Sequence, residues 1–165
     1  MIPARANRIQ LGVVLLLLVV LHFYVRPRLW APRASPDFLF VALMLFAMRS
    51  PPGAAALAGF AVGLIGDALT PARFGAAALA HTIVGYVGSW ARAVFFADNL
   101  LVNAAFVAGG LWVRDCILLA ASGGGGKSLF TELAVYSPLQ AITSALFALI
   151  VLVVFREWFS IRLDA

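Results

Sequence analysis

Residues 35–90 decide the fold of this chain and read SPDFLFVALMLFAMRSPPGAAALAGFAVGLIGDALTPARFGAAALAHTIVGYVGSW. Three apolar runs stand back to back in this stretch, separated by Pro51-Pro52-Gly53 and by a second short linker at residues 67–75. One carboxylate, that of Asp67, stands at the end of the middle run. An aspartate at bilayer depth costs roughly 2.5–3.5 kcal/mol, so a specific role must keep it there. The stretch predicts a bundle of membrane helices.

The composition of the whole chain supports the same prediction. Of the 165 residues, 64% are hydrophobic and 12% are charged, against roughly 45–50% and about 25% in soluble domains. A membrane helix needs about 17–25 apolar residues, and the second of six candidates is short and must borrow from its flanks. The candidates are residues 9–25, 36–49, 53–69, 74–90, 100–121 and 133–155. We expect one domain, residues 1–165, an all-α integral membrane protein that forms a compact bundle of about six transmembrane helices.

The distribution of charge also favours a membrane protein. The chain has 12 Lys and Arg against 7 Asp and Glu, a net charge of +5 that could suggest nucleic-acid binding. The arginines, however, stand singly between apolar runs, as in membrane-flanking loops, and form no basic patch. Arg5 and Arg8 precede the first run as in a signal peptide. That run lacks a small-x-small cleavage pattern, so we predict a retained helix.

Few residues suit catalysis or metal binding. Cys116 is the only cysteine, so a disulfide within the chain is impossible. His22 and His81 stand on separate runs without metal-ligand spacing, and no serine lies in a nucleophile motif with a plausible histidine base. We therefore predict no catalytic residue, no metal site and no cofactor.

Small and polar residues recur at helical spacing on the third and fourth segments. On the third segment Gly59, Gly63 and Asp67 follow one another at intervals of four residues and share one face. On the fourth segment one face carries Ala78, His81, Gly85 and Gly88. Such faces let antiparallel neighbours pack tightly, with Asp67 and His81 satisfied by hydrogen bonds. A ligand-binding or proton-carrying role for these two residues is the alternative.

The ionisable residues of the apolar segments share one half of the membrane. Arg114 and Asp115 of the fifth segment diverge by about 100°, so we expect each to find a partner on another helix; Arg114 could also snorkel. With alternating helix directions, six ionisable residues lie near the membrane face opposite the termini: His22, Asp37, Asp67, Arg73, Arg114 and Asp115. This placement predicts a shared polar network or cavity.

Several motifs together resemble the rod shape-determining protein MreD family. They are Asp-Phe-Leu-Phe after Pro36, Pro51-Pro52-Gly53, the block from Ala58 to Leu69 with its Gly-x-x-x-Asp ending, Gly75, and Gly85-Tyr86-Val87. Asp115 stands where that family has an aspartate in its fifth helix. The resemblance implies a six-helix protein of the bacterial cytoplasmic (inner) membrane with cytoplasmic termini. Arginine counts alone barely favour that orientation.

The resemblance also implies a function. The implied function is that of a non-enzymatic elongasome subunit, which binds MreC and helps organise lateral cell-wall synthesis and rod shape. Further implied partners are RodA with its class B penicillin-binding protein, MreB indirectly, and membrane lipids. We expect partner contacts or a polar network at Gly59, Gly63, Asp67, Gly75, His81, Gly85, Arg114 and Asp115.

Two other functions stay open from the sequence. The substrate-binding membrane component of a vitamin-type importer has a similar size, and the polar half could form its pocket. Its helix-docking face would need small residues on the first helix, where this chain has bulky leucines. The other is a sensor or anchor module, because small bundles host many functions.

Overall fold

The computed structural model describes residues 4–29, 31, 33–70, 74–94, 99–121 and 131–155. The α-helices are α1 (Ala4–Tyr24), α2 (Phe38–Ala47), α3 (Pro52–Leu69), α4 (Ala76–Val94), α5 (Leu100–Ala121) and α6 (Ser137–Val154). A 3-10 turn, Arg26–Arg28, follows α1, and a π-helical turn, Glu132–Tyr136, precedes α6. These parts of the chain contain no β-strand, and the predicted all-α class is confirmed.

Helix α2 forms the centre of the bundle. Its ten residues are all apolar, and all but Phe46 are buried. A helix that is hydrophobic on every side has no face for water and has to be enclosed. The other five helices all pack against it, and Phe40, Val41 and Leu45 are completely inaccessible.

Helix α2 is shorter than the predicted segment 36–49. Ten residues rise about 15 Å, which is half of the roughly 30 Å hydrocarbon core. The helix starts where the Asp37 carboxylate accepts a hydrogen bond from the Phe40 N–H at 3.1 Å and caps the first turn. The helix ends at Ala47, and it cannot continue far beyond, because Ser50 directly precedes Pro51 and so disfavours helical geometry. The residues that directly flank α2, Asp37 and Met48, are buried inside the protein, where backbone that leaves the helix is tolerated at membrane depth.

Four described segments are long and apolar enough to cross a membrane. They are Ile9–Arg28, Pro52–Leu69, Leu100–Ala121 and Glu132–Val154. Their outward faces carry apolar side chains such as Leu16, Leu57 and Leu101, which are 65%, 72% and 70% exposed. Exposed leucines of this kind fit a surface that lipid covers rather than water.

Helices α3 and α4 pack closely through small residues, as the sequence predicts. The buried residues of α3 recur every fourth position and are Ala55, Gly59, Gly63 and Asp67. The four-residue face predicted on α4 is likewise buried, and it consists of Ala78, His81, Gly85 and Gly88. Gly59, Gly63 and Gly85 allow the two helix backbones to approach each other closely, whereas Gly88 faces Met44 and Ala47 of α2.

Pro138 shapes the start of α6. A proline has no N–H and cannot donate the α-helical hydrogen bond to the carbonyl of residue 134. The backbone takes π geometry at Glu132–Tyr136 instead, and the N–H of Ser137 bonds to the carbonyl of Glu132, five residues back. The predicted segment 133–155 therefore contains a local widening before α6 begins.

Candidate functional site

A network of buried polar side chains joins α1, α2, α5 and α6 at their ends away from the chain termini. Its centre is Arg114 of α5, whose side chain is 7% exposed. The Nη1 atom of Arg114 donates to Asp37 Oδ2 at 2.5 Å. Its Nε and Nη2 atoms donate to Asp115 Oδ1 at 2.9 and 2.7 Å. One guanidinium thus pairs with two carboxylates, one on its own helix and one at the start of α2.

Arg114 pairs directly with Asp115 in addition to the predicted partners on other helices. The two side chains leave the helix about 100° apart, but the long arginine side chain bends back over its neighbour. Partners on other helices are present as well, since Asp115 Oδ2 accepts a hydrogen bond from Ser137 Oγ at 2.6 Å. The alternative that Arg114 snorkels does not hold, because its guanidinium is buried and paired.

Helix α6 supplies neutral polar groups to this network. The Oε1 atom of Gln140 lies 3.5 Å from Arg114 Nη2, and Ser144 Oγ accepts from the backbone N–H of Asp37 at 2.9 Å. The sequence prediction did not include Ser137, Gln140 and Ser144. Their spacing at i, i+3 and i+7 places them on one helix face and was the available signal.

His22 closes the network at the start of α2. Its Nδ1 atom lies 3.3 Å from Asp37 Oδ1 and 3.1 Å from the backbone nitrogen of Leu39. The first N–H groups of a helix have no partner inside that helix. Here Leu39 N–H is bonded to His22 and Phe40 N–H to Asp37.

The polar network is bonded within itself. Throughout the described segments, every buried side-chain nitrogen and oxygen has a hydrogen-bond partner. Of the six ionisable residues predicted to share a membrane face, the structure joins His22, Asp37, Arg114 and Asp115. Arg73 lies outside the described residues, and Asp67 belongs to a separate contact.

Asp67 caps α4 across the turn that joins it to α3. Its two carboxylate oxygens accept hydrogen bonds from the N–H groups of Ala77 and Ala78 at 3.0 and 2.9 Å. These N–H groups belong to the first turn of α4, where a negative charge also meets the positive end of the helix dipole. The predicted site residue Gly75 has φ +96°, a backbone conformation that suits glycine in this tight turn. The geometry supports the packing interpretation of Asp67.

His81 has a local partner of its own. Its Nδ1 atom lies 2.8 Å from the carbonyl oxygen of Ala77, one turn earlier in α4. The imidazole meets the ring of Phe40 edge to face at 5.9 Å between centroids. The Arg114 guanidinium lies 5.1 Å from the centroid of the same ring. Phe40 therefore contacts both groups and lies between His81 and the guanidinium at the centre of the network.

The predicted glycines of α3 and α4 face each other. A Cβ atom at Gly59 would overlap the carbonyl group of His81, and one at Gly63 would overlap the backbone of α4 at Ala77. A Cβ atom at Gly85 would lie 2.5 Å from the carbonyl oxygen of Ala55. These three glycines serve a contact within the chain.

An apolar groove of about 520 Å³ runs between α4 and α5. Met44 of α2 lies at its floor, where Gly88 and Gly110 leave space for the methionine side chain. Trp112 stands at the mouth and is 47% exposed. Gly109 lies on the exposed side, and a Cβ atom there would meet nothing within 4 Å. The groove therefore opens on the outer surface of the bundle.

These features define a small multi-pass α-helical membrane protein built around a buried half-length helix and an internal ion network. Comparison with protein families matches residues 5–161 to the rod shape-determining protein MreD. The match covers nearly all of the 165 residues, and the chain belongs to the MreD family. It is thus a rod-shape-determining membrane protein. Searches of curated proteins and of solved structures gave no match.

Proposed function

We propose that this protein is a non-enzymatic subunit of the elongasome that binds MreC and helps organise lateral cell-wall synthesis. Membership of the MreD family supports the proposal. The described residues form helices and short turns, and their exposed helix surfaces are available for partner recognition. RodA with its class B penicillin-binding protein, and MreB indirectly, complete the assembly. The protein lies in the bacterial cytoplasmic membrane with cytoplasmic termini.

The groove between α4 and α5 carries the proposal. Lipid chains are as apolar as the helix side chains, so the hydrophobic effect does not drive membrane helices together. Their association depends on van der Waals packing, which is best where small residues let the backbones approach. Gly59, Gly63 and Gly85 are already occupied inside the chain. Gly109, in contrast, is exposed beside an apolar groove. The groove is the docking surface for the transmembrane helix of MreC.

The importer alternative requires a pocket for a polar solute. The polar groups that suggested such a pocket are bonded to one another, as the complete pairing of the described buried side chains indicates. The groove has an apolar lining, with Ile83, Val84, Phe106 and Val113 among its walls. It suits an apolar helix better than a vitamin.

The test is a pull-down of the tagged full-length protein from its native membrane in mild detergent, with partners identified by mass spectrometry. Gly109→Leu fills the groove, and no atom within 4 Å of its Cβ opposes it. Gly12→Leu is the matched control, since Gly12 is exposed on α1 and equally unobstructed. We expect MreC to be recovered with the wild type and Gly12→Leu at similar levels, and at least tenfold less with Gly109→Leu.

Each other outcome has a definite meaning. Equal recovery of MreC with both variants would place its docking surface outside the groove. Recovery of transport ATPases and a coupling membrane subunit in place of MreC and RodA would overturn the elongasome function. Size-exclusion profiles of both variants, matched to the wild type, ensure that lost binding does not reflect lost folding.

A further inference from the structure

Trp112 places a hydrogen-bond donor near the middle of the membrane. Helix α5, Leu100–Ala121, has 22 residues and rises about 33 Å. Trp112 stands about 18 Å along that rise from Leu100, close to the centre of a hydrocarbon core of about 30 Å. Its side chain lies at the mouth of the groove between α4 and α5, and the residue is 47% exposed.

The indole N–H of Trp112 has no partner in the part of the chain that the structure describes. An indole nitrogen can only donate, and no hydrogen bond joins this one to any described residue. Every fully buried side-chain nitrogen of those residues is bonded, so the unbonded N–H of Trp112 is accessible from the surface of the bundle. Tryptophan N–H groups usually find partners at the wet membrane interface, whereas the hydrocarbon core holds no water to accept them. An acceptor at this depth has to come from a molecule that docks beside Trp112.

The wall of the groove beside Trp112 suits a helix. Ala105 and Gly109 stand one turn apart on α5, and both are exposed and line the groove. Small residues at this spacing let a second helix approach closely. Trp112 follows Gly109 by three residues and therefore lies on the same side of α5. A helix that packs against Ala105 and Gly109 passes directly beside the indole.

We infer that the helix which docks in this groove carries one polar side chain near the middle of the membrane, and that this side chain accepts a hydrogen bond from the Trp112 indole. Serine, threonine, asparagine or glutamine would supply the oxygen, and such side chains hydrogen-bond between membrane helices. The inference rests on the proposed docking of MreC and adds the chemistry by which its helix is recognised. One polar contact in an otherwise apolar groove fixes the orientation of the bound helix.

Tyr86 provides a matched comparison on α4. It stands about 15 Å from the start of that helix, is 51% exposed, and has no hydrogen bond to a described residue. Tyr86 does not line the groove. Helical side chains lean toward the start of their helix, which turns this hydroxyl out of the centre of the membrane. Trp112→Phe and Tyr86→Phe each remove one exposed polar group, and only Trp112→Phe changes the groove.

The pull-down of the tagged full-length protein from its native membrane tests both variants. We expect Trp112→Phe to recover about three- to tenfold less MreC than the wild type, as for the loss of one hydrogen bond between membrane helices. Tyr86→Phe should recover it at the wild-type level. Alanine substitution of each serine, threonine, asparagine and glutamine in the transmembrane helix of MreC then identifies the acceptor. One of these changes should lower recovery as Trp112→Phe does, and should lower it no further when the two changes are combined.

Failure of this inference is distinct from failure of the proposed function. If Gly109→Leu abolishes the recovery of MreC and Trp112→Phe leaves it unchanged, the groove binds MreC and the hydrogen bond is overturned. Equal losses with Trp112→Phe and Tyr86→Phe would also overturn it, as would losses that add to that of Trp112→Phe for every alanine variant of MreC. If the wild type recovers no MreC, the proposed function fails and this inference fails with it. Size-exclusion profiles matched to the wild type separate lost binding from lost folding.

Discussion

At the scale of single residues, Arg114 holds the largest concentration of buried charge in the described chain. All three guanidinium nitrogens donate to carboxylates, and the carboxylates come from α5 and from the N-cap of α2. A buried ion pair adds little net stability compared with apolar residues of the same shape. Removal of one member is costly, because the remaining charges stay buried without compensation.

Arg114→Met tests this role. The substitution leaves Asp37 and Asp115 buried without their cation, so we expect the free energy of unfolding to fall by about 3–5 kcal/mol. Arg33→Met is the control, because the Arg33–Glu132 pair has side chains 67% and 43% exposed. Exposed pairs contribute about 0–1 kcal/mol. Reversible unfolding in mixed micelles measures both variants, and equal losses would show that Asp37 and Asp115 do not depend on a buried cation.

At the scale of helices, the α3–α4 contact depends on glycines whose missing side chains make room for backbone. We expect Gly63→Ala to lower the free energy of unfolding by about 1–3 kcal/mol, the usual cost of overpacking, because its Cβ would meet the backbone of α4. Gly12→Ala changes an unobstructed glycine of α1 and should be neutral or stabilise by about 0.5–1 kcal/mol. The same unfolding assay compares them, and a neutral Gly63→Ala would contradict the close contact.

At the scale of the whole molecule, the helix order places the α1–α2 and α3–α4 turns on one side and the α2–α3 turn on the other. Single cysteines in a Cys116→Ser background test this arrangement at exposed positions. With cytoplasmic termini, an impermeant maleimide should label Arg28→Cys and Thr70→Cys in intact cells. It should reach Gly53→Cys only after permeabilisation. The reverse pattern would invert the proposed orientation, and labelling of Arg28→Cys and Thr70→Cys from opposite sides would contradict the helix order.

Much of the fold could be predicted from local sequence. Apolar runs near bilayer length, separated by proline and glycine, predict membrane helices. Both the length of an apolar run and the effect of a helix-breaking residue are local properties of the sequence. The four-residue spacing of Gly59, Gly63 and Asp67 likewise predicts a shared face, because helix geometry alone determines it. The MreD resemblance rests on such local motifs, and the family match agrees with it.

Other features were decided only by the tertiary structure. Asp37 and Arg114 are 77 residues apart in sequence, so their contact follows from how the helices pack. The central position of α2 and the pairing of Gly63 with the backbone of α4 depend on the same packing. A sequence pattern shows which face of a helix is small or polar. The partner of that face is chosen when the other five helices together bury α2 and the buried charges of the described residues pair, which no single segment can specify.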